Sequence, residues 1–588
     1  MDKLPNEFET LVDLLQWRAQ KMPNKVAFTF LKDGVDETDQ ITFRELDERA
    51  RQIAARLQQE NTPNPTALLL YPQGIEHMCA LWGCIYAGVR AVPLFVPQND
   101  RVYKRVKSIQ QDSGAQYVLC DRESYDRLEK RFDRMPEVAS LQWLISDELE
   151  ASLANDWKLV AQERDTVAYY QYTSGSTGTP KGVMVSHGNV IYNVSDIDAS
   201  WDHSEDTVLV SWLPIFHDMG LIYGFMQGVY NGFHTVLFSP NAFAQRPYTW
   251  LKAISDYRAT HSGGPNSAYI MCVEKVLAEQ KKDLDLSSLR VMFNGSEPVR
   301  ESTLQSFTQA FAECGFKAEM HTPCYGLAEA TLKVTATKLG EYPNHLTVDA
   351  KALASNKVLP LLAGEEGQVF VSSGVTVQQT EVKIVNPVSS EVCAPDSIGE
   401  IWVKGPTNAM GYYRKEEDTR EIFNAYINET DDGPYMRTGD LGFFYNNELY
   451  IAGRLKDLII VRGRNCYPQD IEEIVENCHP ALSPSAGAAF SLDVDGDERL
   501  IVVQSVRRSH LKHIDAPEIF NAIRRAVSAQ YGVKVHDIQL LMPASIPRTT
   551  SGKIQRRACK QAYQQKTLKV LASWQETIES PASASQAT

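Results

Sequence analysis

Tyr172-Thr-Ser-Gly-Ser-Thr-Gly-Thr-Pro-Lys-Gly182 is the stretch on which the reading of this chain turns. Ser174, Ser176, Thr177 and Thr179 offer hydroxyls, and Gly175 and Gly178 let backbone N–H groups close around an anion. Lys181 adds a positive charge. The apolar run over residues 167–172 predicts a strand, so the loop leaves a strand end, where open α/β sheets bind ligands. Composition alone would also suit a flexible Ser/Gly linker. A linker has no need of a Lys-Gly ending followed directly by Val183-Met-Val-Ser-His-Gly188. The glycines lack the GxxxxGK[ST] spacing, so this is not a P-loop.

Outward from the loop, strand-like and helix-like segments alternate. Thr42 and Glu45 have capping-box spacing, and Leu46, Ala50, Ile53, Ala54 and Leu57 follow at helical intervals. Residues 67–71 read as a strand, 77–86 as a helix and 91–96 as a second strand, which argues for parallel sheets covered by helices. Towards the C-terminus the charged turn Gly453-Arg-Leu-Lys-Asp457 separates two strand-like runs, and a compact pattern follows. It holds a helix from Pro468, strands near 486–492 and 500–506, and a helix over 517–531 stopped by Gly532. Charge changes sign there too. Residues 457–588 carry 16 Lys/Arg and 14 Asp/Glu, a net of +2, and the rest of the chain carries −17 of the −15 total. The expected division is 1–455 and 456–588, with residues 577–588 a frayed, low-complexity tail.

A chain of 588 residues is too long for a single domain. Its acidic balance argues against a nucleic-acid or anionic-membrane binder. The N-terminus has no basic-then-apolar leader, no stretch reads as a membrane span, and the ten cysteines show neither CxxC nor zinc spacing. A soluble cytoplasmic protein with free thiols is the expectation.

Further blocks join the loop in order: Trp212-Leu-Pro-Ile-Phe-His217-Asp-Met-Gly, Asn294-Gly-Ser-Glu-Pro298, Tyr325-Gly-Leu-Ala-Glu329, Arg437-Thr-Gly-Asp440, Gly453-Arg454-Leu-Lys456-Asp457 and Pro547-Arg-Thr-Thr-Ser-Gly-Lys553. Together they resemble the adenylate-forming superfamily of acyl-CoA synthetases, peptide-synthetase adenylation domains and luciferases. The wording around residues 211–220, 262–266, 293–299 and 323–331 is most similar to the fatty acyl-AMP ligases. The resemblance implies an α/β fold with a large N-terminal domain, built of two α/β subdomains and a small β-barrel-like one. A small mobile α+β C-terminal domain follows. It also implies a family-specific insertion within 332–380 that restrains the small domain.

The implied reaction joins a medium- or long-chain fatty acid to AMP, using ATP and Mg²⁺, and passes the acyl group to a separate acyl carrier protein of the polyketide or non-ribosomal peptide synthase type. Both reactants are anions, so charge neutralisation and alignment govern the rate. By resemblance, Lys553 reaches the carboxylate and α-phosphate, and His217 positions them; read alone, Lys553 is a surface lysine and His217 a structural histidine. Thr173, Ser174, Gly175, Ser176, Thr177, Gly178 and Lys181 hold phosphate. Tyr325 stacks on adenine with Ser296, Glu297, Gly326, Leu327 and Ala328 around the ring, although a core tyrosine is the ordinary alternative. Asp440 and Arg454 meet the ribose, whereas Arg-Thr-Gly-Asp in isolation is turn chemistry. Glu329 and Thr177 serve Mg²⁺, Glu329 otherwise reading as a helix N-terminal acid. Lys456 is the hinge, where many relatives have Asp.

Two other functions share these motifs. An acyl-CoA synthetase differs only in the second half-reaction, and a silent nucleotide- or acyl-adenylate-binding protein would not need all of Lys181, Glu329, Asp440, Arg454 and Lys553. Basic residues of the C-terminal part, among them Arg507, Arg508, Arg524 and Arg525, suit an acidic carrier or plain solvated surface. Asp396-Ser397 precedes a strand-like run, so the chain is expected to have no carrier domain of its own.

Overall fold

The computed structural model describes residues 8–173, 180–362, 364–428, 430–461, 464–494, 497–548 and 553–576. Local rules read in the sequence set its first elements. Helix Phe43–Gln58 begins on Thr42, whose hydroxyl accepts from the Glu45 N–H while the Glu45 carboxylate takes the Thr42 N–H. That is the reciprocal cap the spacing predicts. Helix Ile75–Ala87 is apolar almost all round, and every residue from Ile75 to Tyr86 except Glu76 is buried. It joins strands Thr66–Tyr71 and Arg90–Phe95, which pair in parallel as a βαβ unit should.

Two large sheets result. The first has six strands in the order 142–145, 117–120, 66–71, 90–95, 167–173 and 181–186. Its neighbours are parallel up to the last pair, where Val167–Thr173 and Lys181–Ser186 run antiparallel with Thr173 opposite Lys181. Thr173 and Lys181, which flank the Ser/Thr/Gly stretch, are therefore paired at a sheet edge. The second sheet has eight strands in the order 333–336, 321–326, 291–294, 261–264, 208–211, 234–238, 26–32 and 36–42. Its six inner strands are parallel and each edge strand is antiparallel. Parallel packing carries the C-terminal ends of strands 208–211, 261–264, 291–294 and 321–326 to one edge, and the sequence blocks 212–220, 265–266, 294–298 and 325–329 follow those ends.

Where a barrel-like unit is expected, strands Glu381–Val385, Gly399–Lys404, Met436–Tyr445 and Glu448–Arg454 form an antiparallel sheet in linear order. A bridge between Ser372 and Tyr450 links it to the two-stranded sheet His345–Val348 and Gln368–Val371. Beyond Asp457 the described chain has its own apolar core: Ile471, Val475, Leu500, Val502, Ile523, Val527, Ile538 and Leu540 pack between helices Pro468–Asn477 and Ala516–Tyr531 and a four-stranded sheet. Gly532 closes the second helix in the left-handed conformation, as read from the sequence. A further cluster straddles the junction, with Leu346, Val348, Leu353 and Phe370 of segment 332–380 packed on Leu441, Tyr450 and Tyr467. All ten cysteines are free thiols. No helix among the described residues is long and apolar enough to cross a membrane.

Candidate active site

Strand His321–Gly326 delivers Tyr325 and then doubles back. A side chain at Gly326 would place its Cβ 1.9 Å from the Leu332 carbonyl oxygen, so only glycine allows the return, which the Leu327 N–H seals by donating to that oxygen at 2.9 Å. Ala328 and Glu329 lie in the resulting single turn Ala328–Ala330, not at the start of a regular helix. The Tyr412 hydroxyl donates to Glu329 Oε1 at 2.8 Å. Burial pushes the Glu329 carboxyl up, and that hydrogen bond opposes the rise. A single inward carboxylate fits Mg²⁺, which keeps several waters and uses one or two carboxylates with substrate phosphates.

Arg437-Thr-Gly-Asp440 is not a turn. It lies inside strand Met436–Tyr445, and Gly439 takes φ +71° in mid-strand. The buried Glu400 holds the segment: it accepts from Trp402 Nε1 at 3.0 Å, from Arg437 Nη2 at 2.7 Å and from the Gly439 N–H at 3.1 Å. Asp440 is then opposite Arg454 in the strand register, with Arg454 Nε 3.3 Å from Asp440 Oδ1. The Tyr325 hydroxyl donates to the other carboxylate oxygen at 2.8 Å. Burial raises the Asp440 carboxyl, opposed by Arg454, Tyr325 and Lys553. Asp440 in turn is the main reason that the Arg454 guanidinium is held up. Blocks 115 residues apart thus close one charged floor.

A third side comes from residues 217–218 and 294–297. His217 Nδ1 sits 2.5 Å from Asp218 Oδ1, and Asp218 precedes a π-helix, Met219–Met226, whose first N–H donates back to that carboxylate at 2.7 Å. Helices of this kind are rare and gather at functional sites. Burial would raise Asp218, but His217 and Lys553 outweigh it and hold the carboxyl below its ordinary range. Ser296 adopts φ +68° and donates its hydroxyl to Met219 Sδ at 2.6 Å, while Glu297 accepts from the Ser267 N–H at 2.9 Å. Asp218, Ser296, Tyr325 and Gly326 line a small cavity together with Trp201, Tyr223 and Phe293.

Lys553, in the C-terminal part, comes to this place. Burial lowers its ammonium, Asp218 opposes that most strongly, Arg454 repels it, and Glu297 and Asp440 attract it. The C-terminal part is held over the floor by Arg300, which bonds Glu476 and lies 3.8 Å from Glu473, and by Arg507 3.4 Å from Glu274. Segment 332–380 adds Asn356, whose Oδ1 accepts from Asn465 Nδ2 at 3.0 Å and from the Tyr467 hydroxyl at 3.3 Å.

The remaining expected residues divide. Thr173 ends its strand. Ser174, Gly175, Ser176, Thr177 and Gly178 lie outside the described residues. Lys181 is engaged sideways, 2.9 Å from Asp418 and 4.9 Å above the Tyr412 ring. Lys456 is exposed in the short turn Leu455–Asp457. Asp218, Tyr412, Asp418 and Arg300 escaped the sequence reading. Asp218 had a signal, its place beside His217. Tyr412 had none, because it reaches Glu329 from 83 residues away.

Comparison with known proteins gives this geometry a family. The AMP-binding enzyme family matches residues 15–413. This chain is an AMP-binding enzyme. Residues 456–573 match the Disco-interacting protein 2-like AMP domain. Among its relatives is the medium-chain-fatty-acid–[acyl-carrier-protein] ligase JamA of Moorena producens, 45% identical over 96% of each chain. The long-chain-fatty-acid–AMP ligase FadD26 of Mycobacterium marinum is 34% identical, over 95% of this chain and 98% of its own. A crystal structure of a fatty acyl-adenylate ligase from L. pneumophila, in complex with acyl adenylate and pyrophosphate, superposes with TM-score 0.76 at 38% identity, covering 98% of this AMP-binding enzyme and 99% of that chain.

Proposed function

We propose that this AMP-binding enzyme uses ATP to convert a fatty acid to its acyl-adenylate, releasing pyrophosphate, and then passes the acyl group to the phosphopantetheine thiol of a separate acyl carrier protein. The observation that carries the proposal is the convergence of Lys553 with Asp218, Asp440 and Arg454, Asp218 also lining a cavity with Trp201, Tyr223 and Phe293. In the first step a carboxylate oxygen attacks the α-phosphorus and the bond to pyrophosphate breaks. Lys553 neutralises the two approaching anions, and His217, held by Asp218, fixes the carboxylate's approach. Tyr325 presents its ring to adenine, Asp440 accepts from the ribose hydroxyls, and Arg454 donates beside it. Glu329, with Thr177, would hold Mg²⁺, which offsets phosphate charge when bound.

In the second step the carrier's thiol attacks the acyl carbon and AMP leaves. We place the domain boundary at residues 455/456, with Lys456 as the hinge about which residues 456–588 swing to admit the thiol. The contacts of Asn356 with Asn465 and Tyr467 support a restraining role for segment 332–380. The test is hydroxylamine trapping with fatty acids of graded length, repeated with holo-carrier protein and with coenzyme A. Acid-dependent hydroxamate, and thioester with the carrier in clear excess over coenzyme A, are the expected results. Equal thioester with coenzyme A would make the chain an acyl-CoA synthetase, and no hydroxamate with any acid a non-catalytic binder.

A further inference from the structure

Lys553 stands just ahead of a helix that an arginine fastens. Arg548 and Ile554 form a short antiparallel bridge, and the Gln555 N–H donates to the Pro547 carbonyl at 3.0 Å. Lys553, next to Ile554, is thereby tied to the start of helix Arg556–Gln564. Arg556, the first residue of that helix, grips Glu472 of helix Pro468–Asn477 with two parallel bonds, Nε to Oε1 and Nη2 to Oε2, both 2.7 Å. Glu472 Oε1 also accepts from the Ala489 N–H at 2.9 Å. This fork alone joins the helix to the core of the C-terminal part. The remaining nitrogen, Nη1, turns elsewhere and lies 3.5 Å from Asp457 Oδ2. Partial burial would lower the Arg556 guanidinium, but Glu472 and then Asp457 outweigh it and hold it above its ordinary range.

The place of Asp457 gives that contact its interest. Strand Glu448–Arg454 runs directly into the turn Leu455–Asp457, so Arg454 and Asp457 stand on either side of the boundary placed at residues 455/456. After Asp440, Asp457 is the carboxylate that does most to hold the Arg454 guanidinium up. One carboxylate thus attracts an arginine of the floor and the arginine that fastens the helix behind Lys553. The signs of the charges give it work to do. Arg454 repels Lys553, and Arg556 brings a further cation to the Lys553 side of the boundary. A neutral residue at 457 would leave that repulsion less opposed. A tie needed for folding alone would end at Glu472.

Resting on the two-step reading above, we propose that Asp457 is a positioning residue, whose carboxylate attracts Arg454 on one side of the boundary and Arg556 on the other and so favours the pose in which Lys553 meets the reacting anions. The test measures the two half-reactions separately on the full chain: acid-dependent ATP–pyrophosphate exchange, and transfer from preformed acyl-adenylate to holo-carrier protein. Asp457→Asn, checked for folding by its melting temperature, should lower kcat for exchange about three- to tenfold, as expected for the loss of two partly exposed charge contacts. KM for ATP should stay within about twofold, because the ribose and adenine contacts are intact. Transfer from acyl-adenylate should be unchanged or faster, since that step does not use the Lys553 pose. Asp457→Glu, which keeps the charge, should stand closer to the wild type in exchange than Asp457→Asn does. Equal slowing of both half-reactions in Asp457→Asn would make the residue a structural tie and overturn the proposal. Exchange by Asp457→Asn at the wild-type rate overturns it as well, as does a glutamate variant slower than the asparagine one. Wild-type exchange with no acid at all would remove the underlying reading, and this inference with it, whereas the other failures leave that reading standing.

Discussion

The floor around Tyr325, Asp440 and Arg454 and the turn bearing Lys553 act on the same few ångströms but are built in opposite ways. The floor is locked by register: Asp440 opposes Arg454 across two paired strands, Glu400 gathers Trp402, Arg437 and the Gly439 N–H beneath them, and Gly326 lets the chain return at van der Waals limits. Lys553 belongs to a part with its own core and is placed by long side chains, Arg300 to Glu473 and Glu476, and Arg507 to Glu274. The Arg507–Glu274 pair is partly exposed and so individually weak and salt-sensitive, unlike a strand ladder, whereas Arg300 and Glu476 are largely buried. One half of the site is therefore fixed by strand pairing and the other by side-chain contacts, which suits the swing proposed above between attack at phosphorus and attack at the acyl carbon.

Breaking the half that carries Lys553 should have the largest effect. Lys553→Met should lower acid-dependent pyrophosphate exchange by about a thousandfold or more, while leaving nucleotide binding by calorimetry within about threefold of wild type. The same lysine predicts a pH signature. Burial lowers its pKa from the ordinary 10.5, and the protonated form is the one that neutralises phosphate, so exchange should decline on the alkaline side at a pH below 10.5. The limb should be missing from the residual rate of Lys553→Met. The linked effect on stability has the other sign: where the unfolded lysine is charged and the folded one is not, stability rises with pH.

Damage to the fixed half should appear as lost binding. Asp440→Asn keeps the shape but removes the charge that holds Arg454, and leaves one acceptor oxygen for the Tyr325 hydroxyl and Arg454 to share. A fall of about 10- to 100-fold in AMP affinity is expected, with the exchange defect following it in KM more than in kcat. The smallest effect sharpens the comparison. Arg300→Ala should slow adenylation about three- to tenfold, with transfer from preformed acyl-adenylate to carrier unchanged or faster. Equal slowing of both steps would show that Arg300 is not part of a withdrawable clasp.

The sequence was legible wherever chemistry is local. The Thr42–Glu45 cap, the Gly532 stop and the strand–helix–strand over 66–95 follow from spacing alone. The motif blocks named most of the residues that meet at the floor, several of them short segments that follow the ends of parallel strands and two of them within paired strands. Arg-Thr-Gly-Asp was open to the wrong local reading, since Gly-Asp suits a turn and the buried Glu400 that keeps it extended lies 37 residues earlier. Tyr412 on Glu329 and Asp418 on Lys181 were invisible for the same reason.

By itself, then, the sequence determined the alternating α/β architecture, the change of charge near residue 456 and the list of residues whose chemistry suits phosphate, ribose and carboxylate. Tertiary structure alone decided which of them face one another. Helix and strand periodicities are set by neighbours a few residues apart, whereas a carboxylate's partner, its burial and its protonation depend on groups brought in from anywhere in the chain. Tyr412 and Glu329 are the clearest case, two residues 83 positions apart that meet only in the folded chain.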